Sequence, residues 1–251
     1  MACYREKFES EGYVVLDGIL AEETSSVIEQ LNEIMKNRTA NDESDWNSTG
    51  FVMSPTEPDS VQKIQSLGLY YPGVCDLVFK NEKIQSVLRT LTDIGEQDFF
   101  GTKFFPMRPG GTSVNWHQDN HFFGTASPQI TSCAVYLEAT DRENGSLKVI
   151  PKSHLDGEVK HGPGEGIWAN GEWALDVDES KAIDIKCSPG TVVLFNALLL
   201  HAAHVNTSKN RTRYSIFAHF VPHDLDFKWR DVDFSYGVYR DRYRAAKLAN
   251  N

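Results

Sequence analysis

Two histidines and one aspartate in this 251-residue chain have types and a spacing suited to holding a metal ion. His117 and Asp119 stand two residues apart, so on an extended strand both side chains point to one face. His201 closes a long apolar run farther along the chain. Two imidazoles and one carboxylate can hold a divalent iron and leave adjacent positions open for a chelating co-substrate and oxygen. Each motif alone also fits a packed or solvated side chain, so the hypothesis depends on their combination.

An arginine and a serine after His201 could complete such a site by binding the far end of an oxo acid. Arg213 opens an apolar strand-like run, and Ser215 shares its face because alternate residues of a strand point the same way. A guanidinium pairs with a carboxylate through two parallel hydrogen bonds, and a hydroxyl can add a third. Tyr214 and Ile216 suit the opposite, packed face. The pattern therefore directs Arg213 toward the interior.

The composition excludes several classes of protein. Lys and Arg number 25 against 35 Asp and Glu, and the net charge of -10 argues against a nucleic-acid-binding protein. No apolar run approaches the roughly 20 residues that span a bilayer, and the first residues lack the apolar stretch of a secretory signal. The four cysteines are scattered, as free thiols in a reducing compartment would be. We expect a cytoplasmic globular protein with no nucleic-acid or membrane partner; the oligomeric state stays open.

The elements that must position these residues begin with a helical flank. Apolar residues recur at three- and four-residue spacing over 21–37 and again over 81–94, which predicts two amphipathic helices. Before them, Tyr13 to Leu16 is strand-like and ends at Asp17-Gly18. The first 96 residues are therefore expected to be mainly helical.

From residue 97 the pattern changes to short runs rich in β-branched and aromatic residues. These runs cover 99–105, 132–138, 146–150, 183–187, 191–195 and 213–221. Successive strands without intervening helices predict an antiparallel sandwich or barrel. We expect a single domain over 1–251, with a helical flank (1–96), a β core (97–222) and a C-terminal tail (223–251) that carries a helix.

One long insertion interrupts the predicted β core. Residues 155–180 are acidic and rich in glycine, and they contain Trp168 and Trp173. Long loops in compact domains are uncommon unless they are functional. A lid over the site is one interpretation, and a solvated surface excursion is the other.

Three stretches of the sequence resemble the phytanoyl-CoA dioxygenase family. They are Trp-His-Gln-Asp at 116–119, Arg-Glu-Asn-Gly-Ser-Leu-Lys-Val-Ile-Pro-Lys-Ser-His at 142–154, and Leu200-His201 followed by Asn206 and Arg213. The resemblance runs from about Phe8 to about Pro222. It implies an iron(II)/2-oxoglutarate-dependent dioxygenase that uses O2. The implied fold is mainly β with flanking N-terminal helices, a double-stranded β-helix (cupin-like jelly roll).

By motif position, the resemblance makes His117, Asp119 and His201 the iron ligands and the centre of catalysis. It gives Arg213 the distal carboxylate of 2-oxoglutarate, with Ser215 beside it.

Three further residues have to be weighed against this assignment. The stretch from Asn206 to Arg213 is a residue longer than in the family, so Arg211 is a rival, although it falls in the turn before the strand. His204 is a rival for the metal position of His201. Lys103, in the strand that leads to His117, could bind the co-substrate as a lysine does in some relatives, or could face solvent.

The resemblance implies oxidation, most often hydroxylation, of a small or medium metabolite with release of succinate and CO2. Desaturation, cyclisation and epimerisation are alternative outcomes of the same chemistry. Halogenation is disfavoured, because halogenating relatives lose the carboxylate ligand and Asp119 is present. Two other classes remain. One is a non-catalytic jelly-roll binding or sensor protein. The other is a cupin-type metal hydrolase or isomerase, but Arg213 and Ser215 would have no function in that enzyme. No basic cluster indicates a site for a CoA phosphate.

Overall fold

The computed structural model of the protein describes residues 2–37, 50–54, 57, 59–92, 97–111, 113–125, 129–165, 171–223, 225–230 and 235–249. The flank comprises α1 (Ala2–Glu11), β1 (Tyr13–Leu16), α2 (Thr24–Lys36), β2 (Gly50–Met53), β3 (Val61–Gln65), α3 (Leu67–Tyr70), α4 (Pro72–Phe79) and α5 (Glu82–Thr92).

The remaining elements form the β core and the tail. They are β4 (Gln97–Met107), β5 (Val114–His117), α6 (Asp119–Phe123), β6 (Thr131–Tyr136), β7 (Leu147–Val149), β8 (His161–Pro163), β9 (Glu172–Ala174), β10 (Ile183–Asp184), β11 (Thr191–Asn196), β12 (His201–Ala203), β13 (Arg213–Pro222) and α7 (Tyr236–Ala249). Two short 3-10 helices cover Ser153–Asp156 and Glu179–Lys181.

Two antiparallel sheets make up the core. The larger has seven strands in the order β1-β11-β6-β13-β4-β3-β2, and the smaller has four in the order β10-β7-β12-β5. Apolar side chains from both sheets share one cluster, in which Tyr136 and Val193 of the large sheet join Leu147 and Val149 of the small one. Neighbours that are distant in sequence pair within each sheet, as a double-stranded β-helix requires. The expected jelly roll is confirmed.

The helical flank covers the outer face of the large sheet. Val27 and Leu31 of α2 share a cluster with Ile216 and Phe220 of β13. The side chains of β13 therefore alternate up to Phe220: even-numbered residues face the helices, and odd-numbered residues from Arg213 to His219 face the other sheet. Burial of both faces fixes the register of β13, since a shift of one residue would exchange the two sets.

The predicted helices and strands occur close to their expected bounds, but the structure also contains elements that the sequence did not predict. The flank also contains β2 and β3, which extend the edge of the large sheet by pairing β3 with β4. The expectation of a helical flank missed this hairpin because β3 reads Val-Gln-Lys-Ile-Gln, whose inward residues include polar ones. This polar inward face belongs to the site described below.

The insertion at 155–180 carries structure of its own. Strands β8 and β9 pair as a hairpin, with His161 opposite Ala174. Trp168 lies outside the described residues.

The predicted helix in the tail is α7, which packs Tyr239 and Tyr243 into the helix-side core. No helix in the described ranges combines the length and the apolar character needed to cross a membrane.

Candidate metal centre and co-substrate pocket

The three residues with metal-binding character converge on one point. His117 ends β5, Asp119 begins α6, and His201 begins β12. Strand pairing sets His201 opposite His117, and the extended backbone of Gln118 (φ -121, ψ 128) turns its two neighbours to the same side. One ligand atom from each residue lies within 4.8 Å of the others.

Backbone carbonyls fix the orientation of both imidazoles. Nδ1 of His117 lies 2.8 Å from the carbonyl of Asn115, and Nδ1 of His201 lies 2.9 Å from that of Leu199. A carbonyl only accepts, so each Nδ1 donates, and in the neutral ring Nε2 then keeps its lone pair. These Nε2 atoms lie 3.6 and 3.7 Å from the carboxylate oxygens of Asp119. The lone pairs therefore face the space beside the carboxylate.

The charge states of His201 and Asp119 suit a divalent metal. Burial lowers the pKa of His201 to about 4, and His117 adds to the effect. Burial acts to raise the pKa of Asp119, but the neighbouring His201, His219 and His117 outweigh it and hold that pKa well below its usual range. Two imidazoles and one ionised carboxylate, all turned inward, fit iron(II) by the chemistry of the donor set.

A second polar region lies deeper between the sheets, around Arg213. The residue is only 2% exposed, and its Nη1 donates to the carbonyl of Gly145. Its Nε has no hydrogen-bond partner, and no carboxylate of the described chain forms an ion pair with it. Burial lowers the pKa of Arg213, but a guanidinium stays charged in proteins. A buried cation of this kind needs an anion.

Two hydroxyl groups flank this guanidinium. Strand pairing sets Ser215 opposite Tyr136, and the ring centroid of Tyr136 lies 5.8 Å from the guanidinium carbon of Arg213. The hydroxyl oxygens of Ser215 and Tyr136 are buried, and neither has a hydrogen-bond partner. Unsatisfied buried donors are rare in folded proteins. Their concentration around one cation indicates a pocket for an anionic ligand.

Arg211 is placed differently from its rival. Its guanidinium bonds both oxygens of Asp141 at 2.9 Å and the carboxylate of Glu143 at 2.7 Å, in the turn before β13. The guanidinium of Arg211 is thus bound to carboxylates of the protein surface and does not reach the pocket.

Lysines from two neighbouring strands approach the site. Lys103 of β4 lies on the same inward face as the site residues, and burial lowers its pKa while Asp119 acts to raise it. Lys63 of β3, which is 2% exposed, lies near Lys103; burial, then Lys103, lower its pKa to about 7. Lys103 is partly exposed and lies on the face of the candidate centre, whereas Lys63 was not indicated by the sequence.

The other histidines near the motifs have partners elsewhere. His204 points its Nε2 at Asp184, at 2.6 Å, and so faces away from the centre. His154 lies against α1, with its Nε2 3.0 Å from the carbonyl of Glu9.

The insertion lies directly over the candidate centre. The ring of Trp173 meets that of His117 edge to face at 5.7 Å. His121, on α6, holds the hairpin through two carboxylates, Glu158 at 2.9 Å and Glu172 at 2.6 Å. His121 also stacks on His161 at 3.9 Å. The described part of the insertion thus covers the site.

Sequence reasoning missed polar residues on the middle strands. Ser132 and Tyr136 lie on β6, all six residues of which are buried, so that strand shows no alternation of apolar and polar positions. The positions opposite them on β13, His219 and Ser215, could have pointed to them only once the strand pairing was known.

Comparisons with known proteins agree with this arrangement. Residues 8–214 match the phytanoyl-CoA dioxygenase (PhyH) family. The chain is 25% identical over 228 residues to a probable alpha-ketoglutarate-dependent hypophosphite dioxygenase of Stutzerimonas stutzeri, covering 86% of this chain and 77% of that one. It is also 25% identical over 261 residues to a phytanoyl-CoA dioxygenase domain-containing protein 1 homolog of Caenorhabditis elegans, covering 84% and 88%.

Solved structures share the fold at lower sequence identity. EctD from S. alaskensis, crystallised with 2-oxoglutarate and 5-hydroxyectoine, aligns with a TM-score of 0.71 at 20% identity over 91% of this chain and 78% of that one. SnoN, a non-heme alpha ketoglutarate dependent epimerase from nogalamycin biosynthesis, aligns with a TM-score of 0.70 at 16% identity over 92% and 87%.

Proposed function

The chain belongs to the phytanoyl-CoA dioxygenase family, and from this premise we propose that it hydroxylates a small or medium metabolite with release of succinate and CO2. Members of the family are iron(II)/2-oxoglutarate-dependent dioxygenases, so the cofactor is iron(II) and the co-substrates are 2-oxoglutarate and O2. The observation that carries the proposal is the convergence of His117, Asp119 and His201, with both imidazoles oriented by backbone carbonyls.

In this proposal His117, Asp119 and His201 hold the metal. Bound iron(II) supplies the oxidative chemistry, and the residues keep neighbouring positions free for the co-substrate. The carbonyls of Asn115 and Leu199 hold the two rings in the tautomer that exposes Nε2.

Arg213 binds the distal carboxylate of 2-oxoglutarate, and Ser215 adds a hydrogen bond to the same group. The buried guanidinium and the unpartnered hydroxyl support this role. Lys103 lies between this pocket and Asp119 on the inward face of β4, and it adds positive charge for a dianionic co-substrate. Arg211 has no part in the site because its fork is committed to Asp141.

Aromatic side chains of the insertion and of α6 restrict water at the centre. Trp173 and Phe122 place aromatic edges against the ring of His117, at 5.7 and 6.0 Å between centroids. Exclusion of water protects reactive species from side reactions and strengthens electrostatic interactions.

Hydroxylation and a small or medium metabolite are the finer parts of the proposal. Relatives are named for substrates as different as hypophosphite, L-proline and phytanoyl-CoA, so family membership leaves the substrate open. The basic residues described near the centre, Lys63, Lys103 and Arg213, lie on inward faces of the strands and do not form a surface cluster for a CoA phosphate, which favours a free metabolite.

Anaerobic reconstitution tests the proposal. Iron(II) and 2-oxoglutarate added together should produce the weak visible charge-transfer band of bidentate chelation. Exposure to O2 with a panel of metabolites should then release succinate in proportion to product. A protein that binds both but releases no succinate with any metabolite would support the binding or sensor alternative. Iron binding without this charge-transfer band would contradict the proposal that the protein is a 2-oxoglutarate-dependent oxygenase.

A further inference from the structure

A serine and a histidine from the middle strands of the large sheet lie beside Asp119. Ser132 of β6 stands opposite His219 of β13 in the strand pairing. The hydroxyl of Ser132 donates to Oδ2 of Asp119 at 2.5 Å and lies 3.1 Å from Nδ1 of His219. All three side chains are buried. Neither Ser132 nor His219 belongs to the metal-binding group described above.

The direction of these hydrogen bonds follows from the number of protons. A serine hydroxyl carries one proton, and here it goes to Asp119 because a carboxylate only accepts. The bond between His219 and Ser132 then needs its proton from Nδ1 of the histidine. His219 is therefore the Nδ1–H tautomer, donating to Ser132, which in turn donates to Asp119.

The surrounding backbone is shaped to hold His219 in this place. Gly101 of β4 has φ +60, and a Cβ there would lie 2.9 Å from Cδ2 of His219. The pairing of β13 with β4 shifts at this point, between Phe217 and His219. Phe100 and Phe123 pack against the imidazole with centroids at 5.3 and 4.7 Å. The ring is thus fixed by a glycine cradle and two aromatic neighbours.

This chain of bonds makes the two oxygens of Asp119 unequal. Each oxygen faces one imidazole, Oδ1 the Nε2 of His117 at 3.6 Å and Oδ2 the Nε2 of His201 at 3.7 Å, but only Oδ2 also receives the hydroxyl of Ser132. A metal held by two imidazoles and one carboxylate oxygen keeps open positions for a bidentate oxo acid and oxygen. A carboxylate bound through both oxygens would occupy one of those positions.

We propose that Ser132, held by His219, is a positioning residue that keeps Asp119 a one-oxygen metal ligand and so preserves the place of 2-oxoglutarate. This inference rests on the proposed function, because it presupposes iron at the centre. It adds a role for two residues of the middle strands that do not themselves touch the metal or the co-substrate.

The test separates binding of the metal from binding of the co-substrate. Ser132→Ala should raise the Kd of 2-oxoglutarate about 10-fold in the anaerobic iron(II) protein, while the affinity for iron(II) changes less than about three-fold. The first quantity is read from the charge-transfer band and the second from competition with a coloured chelator. Ser132→Thr, which keeps the hydroxyl, should restore wild-type binding of 2-oxoglutarate.

Two further variants test the role of His219 and control for the loss of a hydroxyl group from β6. His219→Phe removes the donor behind Ser132 and should shift the Kd of 2-oxoglutarate in the same direction. Thr131→Val, which removes a hydroxyl from the other face of β6, should leave both affinities unchanged. Wild-type binding of 2-oxoglutarate in Ser132→Ala, or an equal loss of both affinities, would overturn the inference. Failure of the proposed function would show instead as absence of iron binding or of the band in the wild-type protein.

Discussion

Arg213 is buried deep between the two sheets, and its guanidinium needs a negative charge that no described carboxylate supplies in an ion pair. We expect Arg213→Ala to raise the Kd of 2-oxoglutarate about 30- to 1,000-fold, since a charge-assisted fork in a dry pocket contributes roughly 2–4 kcal/mol. Arg213→Lys should lose most of the same affinity, because it keeps the charge without the fork. Titration of the charge-transfer band measures both effects.

The matched control for Arg213 is Arg211→Ala. Arg211 is engaged by Asp141 and Glu143 at the surface, so its removal should leave the Kd of 2-oxoglutarate close to the wild-type value. A large loss in the Arg211 variant, with none in Arg213→Ala, would show that Arg211 and not Arg213 binds 2-oxoglutarate.

Tyr136 offers a second, weaker donor to the same pocket. Its hydroxyl is buried without a partner beside Ser215, and burial raises the pKa of the phenol, so it remains a proton donor at every physiological pH. Tyr136→Phe should weaken binding of 2-oxoglutarate roughly 2- to 10-fold, the size expected for one neutral hydrogen bond. Tyr214→Phe, on the helix side of β13, is the control and should have no effect on that titration.

Lys63 should make the free energy of unfolding depend on pH. The pKa of this lysine is lowered from 10.5 to about 7, so between those values the unfolded chain binds more protons than the folded protein. The free energy of unfolding then rises with pH from about 7 to about 10, with a slope of up to about 1.4 kcal/mol per pH unit from this group. Below pH 7 both states carry the proton and the contribution is constant.

The variant Lys63→Met isolates that contribution. Urea unfolding at pH 7, 8 and 9 should show the wild-type protein gaining stability relative to the variant as the pH rises. A constant difference between the two proteins across this range would mean that Lys63 keeps its ordinary pKa in the folded state.

At the scale of single residues, the sequence predicted the groups with distinctive spacing and missed those without it. His117, Asp119 and His201 were expected at one site, and their ligand atoms converge. Ser132 and Tyr136 carry no motif, and they reach the interior only because β6 pairs with β13. Long-range pairing of this kind is set by packing of whole sheets and leaves no local pattern.

The same contrast holds for helices and strands. The helices α2 and α5 were predicted because each buries one face at regular spacing, and β1 because turn residues bound it. The strand β3 was missed because its inward face holds Lys63 and Gln65, which conceal the usual alternation of apolar and polar residues. Polar residues on an inward face are expected where a site replaces part of the core.

The insertion contacts α6 through two carboxylates that lie within hydrogen-bond distance of His121. His121 bridges Glu158 and Glu172, and Arg230 also approaches Glu158 at 3.5 Å. The double variant Glu158→Gln, Glu172→Gln should make residues 155–180 roughly two- to five-fold more sensitive to limited proteolysis, since each partly exposed pair contributes no more than about 1 kcal/mol. Mass spectrometry of the fragments locates the cleavage.

Glu165→Gln provides the control for this element, because it removes one charge from an exposed position of the same segment. It should leave the cleavage rate unchanged. If the double variant is cleaved no faster than the control, the charged contacts do not hold the segment, and the interpretation as a solvated surface excursion gains support. Slower cleavage of the wild-type protein with iron(II) and 2-oxoglutarate bound would favour a lid.

On the scale of the whole molecule, stability and chemistry use different parts of the fold. The helix-side cluster joins the flank, the outer face of the large sheet and α7, and none of the three proposed metal ligands belongs to it. The apolar cluster between the sheets is built from other residues, one of which, Phe195, packs against His201 with ring centroids 4.7 Å apart. Loss of a ligand should therefore remove metal binding without removing the packing that holds the jelly roll together.

Metal binding should in turn stabilise the whole molecule, because an ion held only by the folded protein shifts the unfolding equilibrium. At a free iron(II) concentration of 100 times the Kd the gain is about 2.7 kcal/mol, or roughly 5–10 °C in Tm for a chain of this length. His117→Ala, Asp119→Ala and His201→Ala should each lose this gain. Their metal-free forms should unfold within about 5 °C of the metal-free wild-type protein.

His204→Ala decides whether that gain comes from the proposed ligand set. His204 lies three residues beyond His201 but directs its Nε2 at Asp184, so its loss should leave the iron-dependent rise in Tm intact. Anaerobic thermal unfolding with and without iron(II) compares the two variants directly. A rise that persists in His201→Ala and disappears in His204→Ala would transfer the ligand role to His204. Because β12 pairs with β5 at His201 and His117, that result would also require a different pairing of the two strands.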